Sequence, residues 1–191
     1  LGCNHCAGNE MTRDIGKLIA VIGSGSDQQP HLSTPLGRRL AENGYSLING
    51  GGGGVMAETA KAFIKVENRK GLVVGVIPSA NLCDTAEERK RYKPPSGYPN
   101  AYTELVIHTH LHSSKTMGKD IASRNHIIVL SADHVVALPG GPGTRSEVEL
   151  ALDYGKSPVL ISPRGEWDEF SGRATTVKTL EDALREFNGI F

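Results

Sequence analysis

The sequence predicts an α/β fold: an open, mostly parallel, Rossmann-like sheet of about six or seven strands with helices on both faces. Two observations carry this expectation. Short apolar runs alternate with amphipathic segments from residue 17 onward, the pattern of strand, crossover helix and strand. Glycine, 23 residues in all, is also gathered at the ends of two such runs, in Gly50 to Gly54 and in Gly140, Gly141 and Gly143. Glycine clustered at element junctions marks tight turns or backbone brought close to a ligand.

Taken in order, residues 17–25 (KLIAVIGSG) read as a buried parallel strand that stops at glycine. Residues 31–43 follow as a helix, with Leu32, Leu36 and Leu40 four apart and Gly44 at its expected end. Residues 45–49 form a second strand that runs into the five-glycine loop, 55–66 a helix, and 71–78 (GLVVGVIP) a third strand. Residues 79–104 carry Pro94, Pro95, Gly97 and Pro99 with little periodicity, and predict a long loop with one helical turn near 85–92. Loops of that length in compact domains are commonly lids or binding loops. A fourth strand is expected at 105–111, a helix at 114–130, and a fifth strand at 134–138 (HVVAL) leading into the second glycine loop. A helix at 147–154, a sixth strand at 157–162 and a final helix at about 179–187 complete the pattern. Residues 15–191 are expected to form one domain, and 1–14 a disordered leader. In such a sheet ligands bind beyond the carboxyl ends of the strands, so both glycine loops belong on one rim.

Composition narrows the partners. Lys plus Arg and Asp plus Glu both number 21, which argues against nucleic-acid or membrane-surface binding driven by bulk charge. No stretch approaches the roughly 20 apolar residues of a membrane span. The three cysteines make no disulfide framework, and the expected compartment is the cytoplasm.

Pro139, Gly140, Gly141, Pro142, Gly143 and Thr144 form the sharpest motif. Glycines let backbone N–H groups face outward, and a helix starting near Thr144 adds a positive dipole end, so the loop suits a phosphate. The same residues admit a structural reading, because Thr144-Arg-Ser-Glu147 is also a T-x-x-E capping box. Gly23, Ser24 and Gly25 begin a dinucleotide fingerprint, but the third glycine and the acidic ribose residue are missing, so NAD is not expected. Ser24 and its neighbours could still line a nucleotide site. On the predicted 114–130 helix, Met117, Ile121, Arg124 and Ile128 share a face. Arg124 on an apolar stripe needs either an internal carboxylate or a bound anion. His108, His110 and His112 alternate along the predicted fourth strand, as does a half-solvated face. With no completing Cys or carboxylate cluster, no metal site is assigned to them or to Cys3-Asn-His-Cys6.

Three segments together resemble the Lonely Guy (lysine-decarboxylase-like, SLOG) superfamily: Asn49-Gly-Gly-Gly-Gly-Gly-Val-Met56, Ser123-Arg124-Asn125 before Ala132-Asp133, and Pro139-Gly-Gly-Pro-Gly-Thr-Arg-Ser-Glu147. The resemblance covers about residues 17–163. It implies a nucleoside 5′-monophosphate phosphoribohydrolase, needing no cofactor, with Arg124 and Glu147 as catalytic residues. It implies a ligand site of Gly23, Ser24, Gly25, Gly51, Gly52, Gly53, Gly54, Met56, Asn125, Pro139, Gly140, Gly141, Gly143 and Thr144. A homo-oligomer, dimer or tetramer, is also implied. One departure points elsewhere. Asn125 stands where cytokinin-activating members have lysine, which is closer to a sister branch of molybdenum cofactor carrier proteins, and that branch would make the molybdenum cofactor the bound ligand. Lysine decarboxylation is not expected, since no Schiff-base lysine pattern is present.

Overall fold

The computed structural model describes residues 16–113 and 117–188. Its strands are β1 (Leu18–Ile22), β2 (Ser46–Asn49), β3 (Val73–Ile77), β4 (Leu105–His108), β5 (His134–Ala137), β6 (Val159–Ile161) and β7 (Thr175–Val177). They form one sheet in the order β4-β3-β2-β1-β5-β6-β7, and every neighbouring pair is parallel. The helices are α1 (Pro30–Glu42), α2 (Val55–Ile64), α3 (Ala86–Lys90), α4 (Asn125–Ser131), α5 (Pro142–Asp153) and α6 (Leu180–Asn188). The α/β architecture expected from the sequence is therefore present, and the sheet is wholly rather than mostly parallel.

Period-two alternation in β1 divides the core between two faces. Ile19 and Val21 pack with Leu36 and Leu40 of α1, Phe63 of α2 and Ala183 of α6. Ala20 and Ile22 pack instead with Ile128 of α4, Val148 of α5, Trp167 and Phe170. Side chains such as Ile19, Leu36 and Phe63 are fully buried, each stabilising the fold by about 1.5–3 kcal/mol. Gly37 brings α1 against α2, because a methyl group there would lie 2.2 Å from the Thr59 carbonyl oxygen.

Strand order creates the functional rim. The chain leaves β1 to build β2, β3 and β4 on one side, then returns to β1's other edge with β5. Connections on the two sides of β1 diverge, and in open α/β sheets ligands characteristically bind at the carboxyl ends of the strands beside such a switch in strand order.

Several expectations are corrected. Of the predicted helix at 114–130, residues 125–131 form α4, 117–124 are turns and bends with an isolated bridge at Ser123, and 114–116 lie outside the described residues. Local side-chain bonds explain this: Asp120 Oδ1 accepts the Ala122 N–H at 2.8 Å, and Ser123 Oγ accepts the Asn125 N–H at 3.2 Å. Such bonds offer the backbone an alternative to helix. The shared face of Met117, Ile121, Arg124 and Ile128 disappears with it, since Ile121 is 92% exposed. The fourth strand ends at His108, so His110 and His112 lie beyond it. Helix α5 starts at Pro142, five residues before the predicted 147, because proline suits the first helical position. Strand β7 was not marked by the sequence pattern, being only three residues long. The expected leader, residues 1–14, lies outside the described residues.

Candidate functional site

Three loops meet at the carboxyl end of β1 and bind one another. Ser24 donates its N–H to the Pro139 carbonyl at 3.3 Å, and Val55 donates to the Ser24 carbonyl at 2.9 Å. The β1–α1 turn thus ties the β2 glycine loop to the β5 loop. Gly54, at φ 57°, has no room for a side chain, since a Cβ would lie 2.2 Å from Ser24 O. Met56 reaches between Gly25 and Gly52. Asn49, fully buried at the end of β2, accepts the Gly51 N–H at 2.8 Å and donates to Met56 O at 3.3 Å. That side chain sets the curve of the glycine loop.

The β5 loop leads directly into α5. Gly141 is the N-cap and makes no side-chain cap, and Pro142 has no N–H. The first-turn amides of Gly143 and Thr144 then face the helix mouth, where helices characteristically receive anions. A methyl group on Gly141 would meet nothing within 4 Å, whereas one on Gly140 would lie 2.1 Å from Thr144 Oγ1. The mouth is therefore open at Gly141 and packed at Gly140. This geometry overturns the T-x-x-E capping box: Thr144 and Glu147 both lie inside α5, and neither caps it.

Arg124 enters from the turn before α4. Its side chain is buried, with the residue 8% exposed. Nη1 donates to the carbonyls of Gly50 and of Val76, the latter at 2.6 Å, while Nε is buried without a partner. Among the described residues no carboxylate forms an ion pair with it. Burial lowers the guanidinium pKa from its ordinary value, opposed by Tyr98 and Glu147. Asn125, the first residue of α4, is buried beside it.

Glu147, half-buried on α5, is the counterpart. Burial pushes its carboxyl pKa up to about 7, while the charge of Arg124 pulls it down. Two residues 23 positions apart in the chain are thus electrostatic neighbours, and a carboxyl that exchanges its proton near neutrality can act as a base or an acid.

Three residues that the sequence reading did not single out belong to this rim. Gln29, at φ 45°, donates Nε2 to Pro139 O at 2.7 Å and leaves Oε1 buried without a partner. Asn100 donates its N–H to Gly51 O at 2.7 Å and Nδ2 to Gly52 O at 2.9 Å. Tyr98 places its ring against Arg124, with the guanidinium carbon 5.6 Å from the ring centroid. The only sequence signal for the last two was the length and low periodicity of the 79–104 segment. Among the described residues no group of three or more His, Cys, Asp or Glu could hold a metal ion, and no helix is long and apolar enough to cross a membrane.

Comparison with known proteins gives the family and the fold. The model of the SLOG cluster4 family matches residues 16–186. An uncharacterized protein of Archaeoglobus fulgidus is 34% identical over 148 residues, 76% of this chain and 80% of that protein. Among solved structures, the molybdenum cofactor binding protein from the phototrophic bacterium Rippkaea orientalis is 24% identical, covering 92% of this chain and 97% of its own, at a TM-score of 0.66. The molybdenum cofactor carrier protein of Chlamydomonas reinhardtii is also 24% identical, covering 91% and 97%, at 0.66. DNA processing protein A of Helicobacter pylori, a single-stranded DNA binder, is 17% identical, covering 93% and 83%, at 0.65. At these identities the structures share the fold alone.

Proposed function

We propose that this chain, which belongs to the SLOG cluster4 family, binds a small phosphorylated, nucleotide-like ligand and hydrolyses the N-glycosidic bond of nucleoside 5′-monophosphates. The observation that carries this reading is the pairing of Glu147, with a pKa of about 7, and buried Arg124 beside an open helix mouth. The 5′-phosphate sits on the Gly143 and Thr144 amides, with Pro139, Gly140 and Gly141 shaping the loop. Gly23, Ser24, Gly25, Gly51 to Gly54, Met56 and Asn125 line the remainder of the crevice.

Chemically, the water oxygen forms a bond to C1′ as the C1′–N bond breaks. The departing base keeps the bonding electrons and takes up a proton, and Glu147 removes a proton from the attacking water. Positive charge develops on the ribose, and the Glu147 carboxylate stabilises it. Arg124 orients the ligand and balances charge. Only water is consumed, so no cofactor or metal is needed. The even charge balance, with 21 residues of each sign, supports a small ligand over nucleic acid. The reading includes a homo-oligomer, dimer or tetramer, tested by sedimentation, and a cytoplasmic setting.

The test is incubation with AMP, GMP, CMP and a cytokinin ribotide, with free base followed by chromatography. Release that disappears in Glu147→Gln supports the hydrolase and identifies its preferred base. No release from any of the four overturns it. One observation favours a second reading, carriage of the molybdenum cofactor without turnover. Arg124 is followed by Asn125, and the Rippkaea and Chlamydomonas proteins share the fold across nearly the whole chain. Pterin fluorescence that co-purifies with the protein, together with absent base release, would establish that alternative.

A further inference from the structure

A buried guanidinium needs its donors occupied and its charge balanced. Arg124 meets the first need only in part, through two carbonyl acceptors on one nitrogen. The remaining contact is Tyr98, whose ring centroid lies 5.6 Å from the guanidinium carbon and whose hydroxyl also reaches the group; it comes from the long β3–β4 connection, 26 residues earlier in the chain. Aromatic faces attract a cation through their quadrupole, most strongly where water is excluded.

The same connection grips the glycine loop. Asn100 bonds the carbonyls of Gly51 and Gly52 at 2.7 and 2.9 Å, and its own Oδ1 accepts the Tyr102 N–H at 3.0 Å. Tyr98 Oη lies so near Gly52 that a methyl group there would come within 2.6 Å of it. Gly50, whose carbonyl receives Arg124, allows no side chain either, since a Cβ would lie 2.3 Å from the guanidinium. Arg124, the glycine loop and residues 98–100 therefore interlock.

We propose that Tyr98 is a positioning residue: its ring sets the Arg124 guanidinium in the site, and the strap of residues 98–100 holds the glycine loop to which Arg124 is bonded. The kinetic part of this inference rests on the hydrolase reading. Its electrostatic part does not. Tyr98 meets Arg124 through both its ring face and its hydroxyl, so phenylalanine keeps the ring contact alone, while methionine keeps an apolar side chain of comparable length and loses both.

The experiment compares the full chain with Tyr98→Phe and Tyr98→Met. Two quantities are read: the ionisation midpoint of the Glu147 carboxyl by carbon NMR, and kcat and KM for the best nucleoside monophosphate. Arg124 is the charge that opposes the burial effect on Glu147, so displacing it moves the midpoint upward. Tyr98→Phe, which loses only the hydroxyl contact, is expected to move the midpoint less than Tyr98→Met does. Tyr98→Met is expected to raise the midpoint and to lower kcat more than tenfold with a smaller change in KM. An unmoved midpoint in Tyr98→Met overturns the proposal, as does an equal shift in Tyr98→Phe. If Tyr98→Met does not fold, Asn100→Ala releases the other end of the strap, and an unmoved midpoint there overturns it equally. Absence of turnover in the parent would sink the hydrolase reading, while the NMR comparison would still decide the role of Tyr98.

Discussion

Replacing Glu147 with glutamine removes the carboxyl whose burial the fold tolerates at a cost, and the sign of that cost can be worked out. The folded-state pKa is about 7 against an ordinary 4.5, so the folded protein holds a proton that the unfolded chain releases between those values. Stability therefore falls as pH rises from about 4.5 to about 7 and stays lowered above. The full difference of two and a half units corresponds to about 3 kcal/mol. Glu147 is half-buried, and solvent reaching it reduces the expected loss to roughly 1–3 kcal/mol. Glutamine has nearly the same shape and no titration, so Glu147→Gln should be more stable than the parent at pH 8. At about 2–4 °C per kcal/mol for a chain of this size, the gain is roughly 2–12 °C in Tm. The gain should vanish at pH 4. Differential scanning calorimetry of both proteins at pH 4, 6 and 8 checks it. Parallel pH profiles for the two proteins would refute the reasoning, as would a lower Tm for Glu147→Gln at pH 8.

Four further substitutions test the site's construction. Gly140→Ala puts a methyl 2.1 Å from Thr144 Oγ1 and should destabilise the fold by about 1–3 kcal/mol, read by urea unfolding. Gly141→Ala meets open space, so its unfolding midpoint should match the parent while calorimetric binding of AMP weakens. Asn49→Ala strips the Gly51 N–H of its buried acceptor and should lower stability by about 1–3 kcal/mol, again read by urea unfolding. Arg124→Lys keeps the charge but loses the planar guanidinium that lies over the Tyr98 ring, and AMP affinity should fall at least tenfold by calorimetry.

Legibility in the sequence followed the range of the interactions. Strands such as β1 and β5 are short apolar runs closed by glycine or proline, and a local pattern suffices to find them. Both glycine loops were found for the same reason. Errors came where one local pattern served two structures. Thr144-Arg-Ser-Glu147 has the spacing of a capping box, and only the helix start at Pro142 decides against it. Met117, Ile121 and Arg124 have helical spacing, yet Asp120 and Ser123 capture nearby amides and prevent the helix. Tyr98 and Asn100 were invisible for the opposite reason. Their partners are Arg124 and the glycine loop, and no periodicity links residues so far apart. Gln29 depends on a positive φ at a non-glycine residue, which composition does not announce.

The energetics also bear on which proposed function suits this site. A carrier of a phosphorylated ligand needs donors, and the proposed site offers them at the α5 mouth and Arg124. It has no use for a half-buried carboxyl that titrates near neutrality and repels the ligand's phosphate when charged. A hydrolase needs that group, because a base must be deprotonated for part of its time and still hold a proton well enough to take one from water. Burial sets Glu147 at about 7 against the opposing charge of Arg124, and the stability lost above pH 4.5 is the cost of keeping it there. Sites that sacrifice stability in this way are more often catalytic than structural. For Glu147 to be kept in a carrier, its ionisation would have to gate ligand release, with ligand held below pH 7 and freed above it. Turnover and ligand affinity measured together across that range distinguish the two, since a hydrolase turns over above pH 7 and loses that turnover below it, whereas a gated carrier shows no turnover and gains affinity below pH 7.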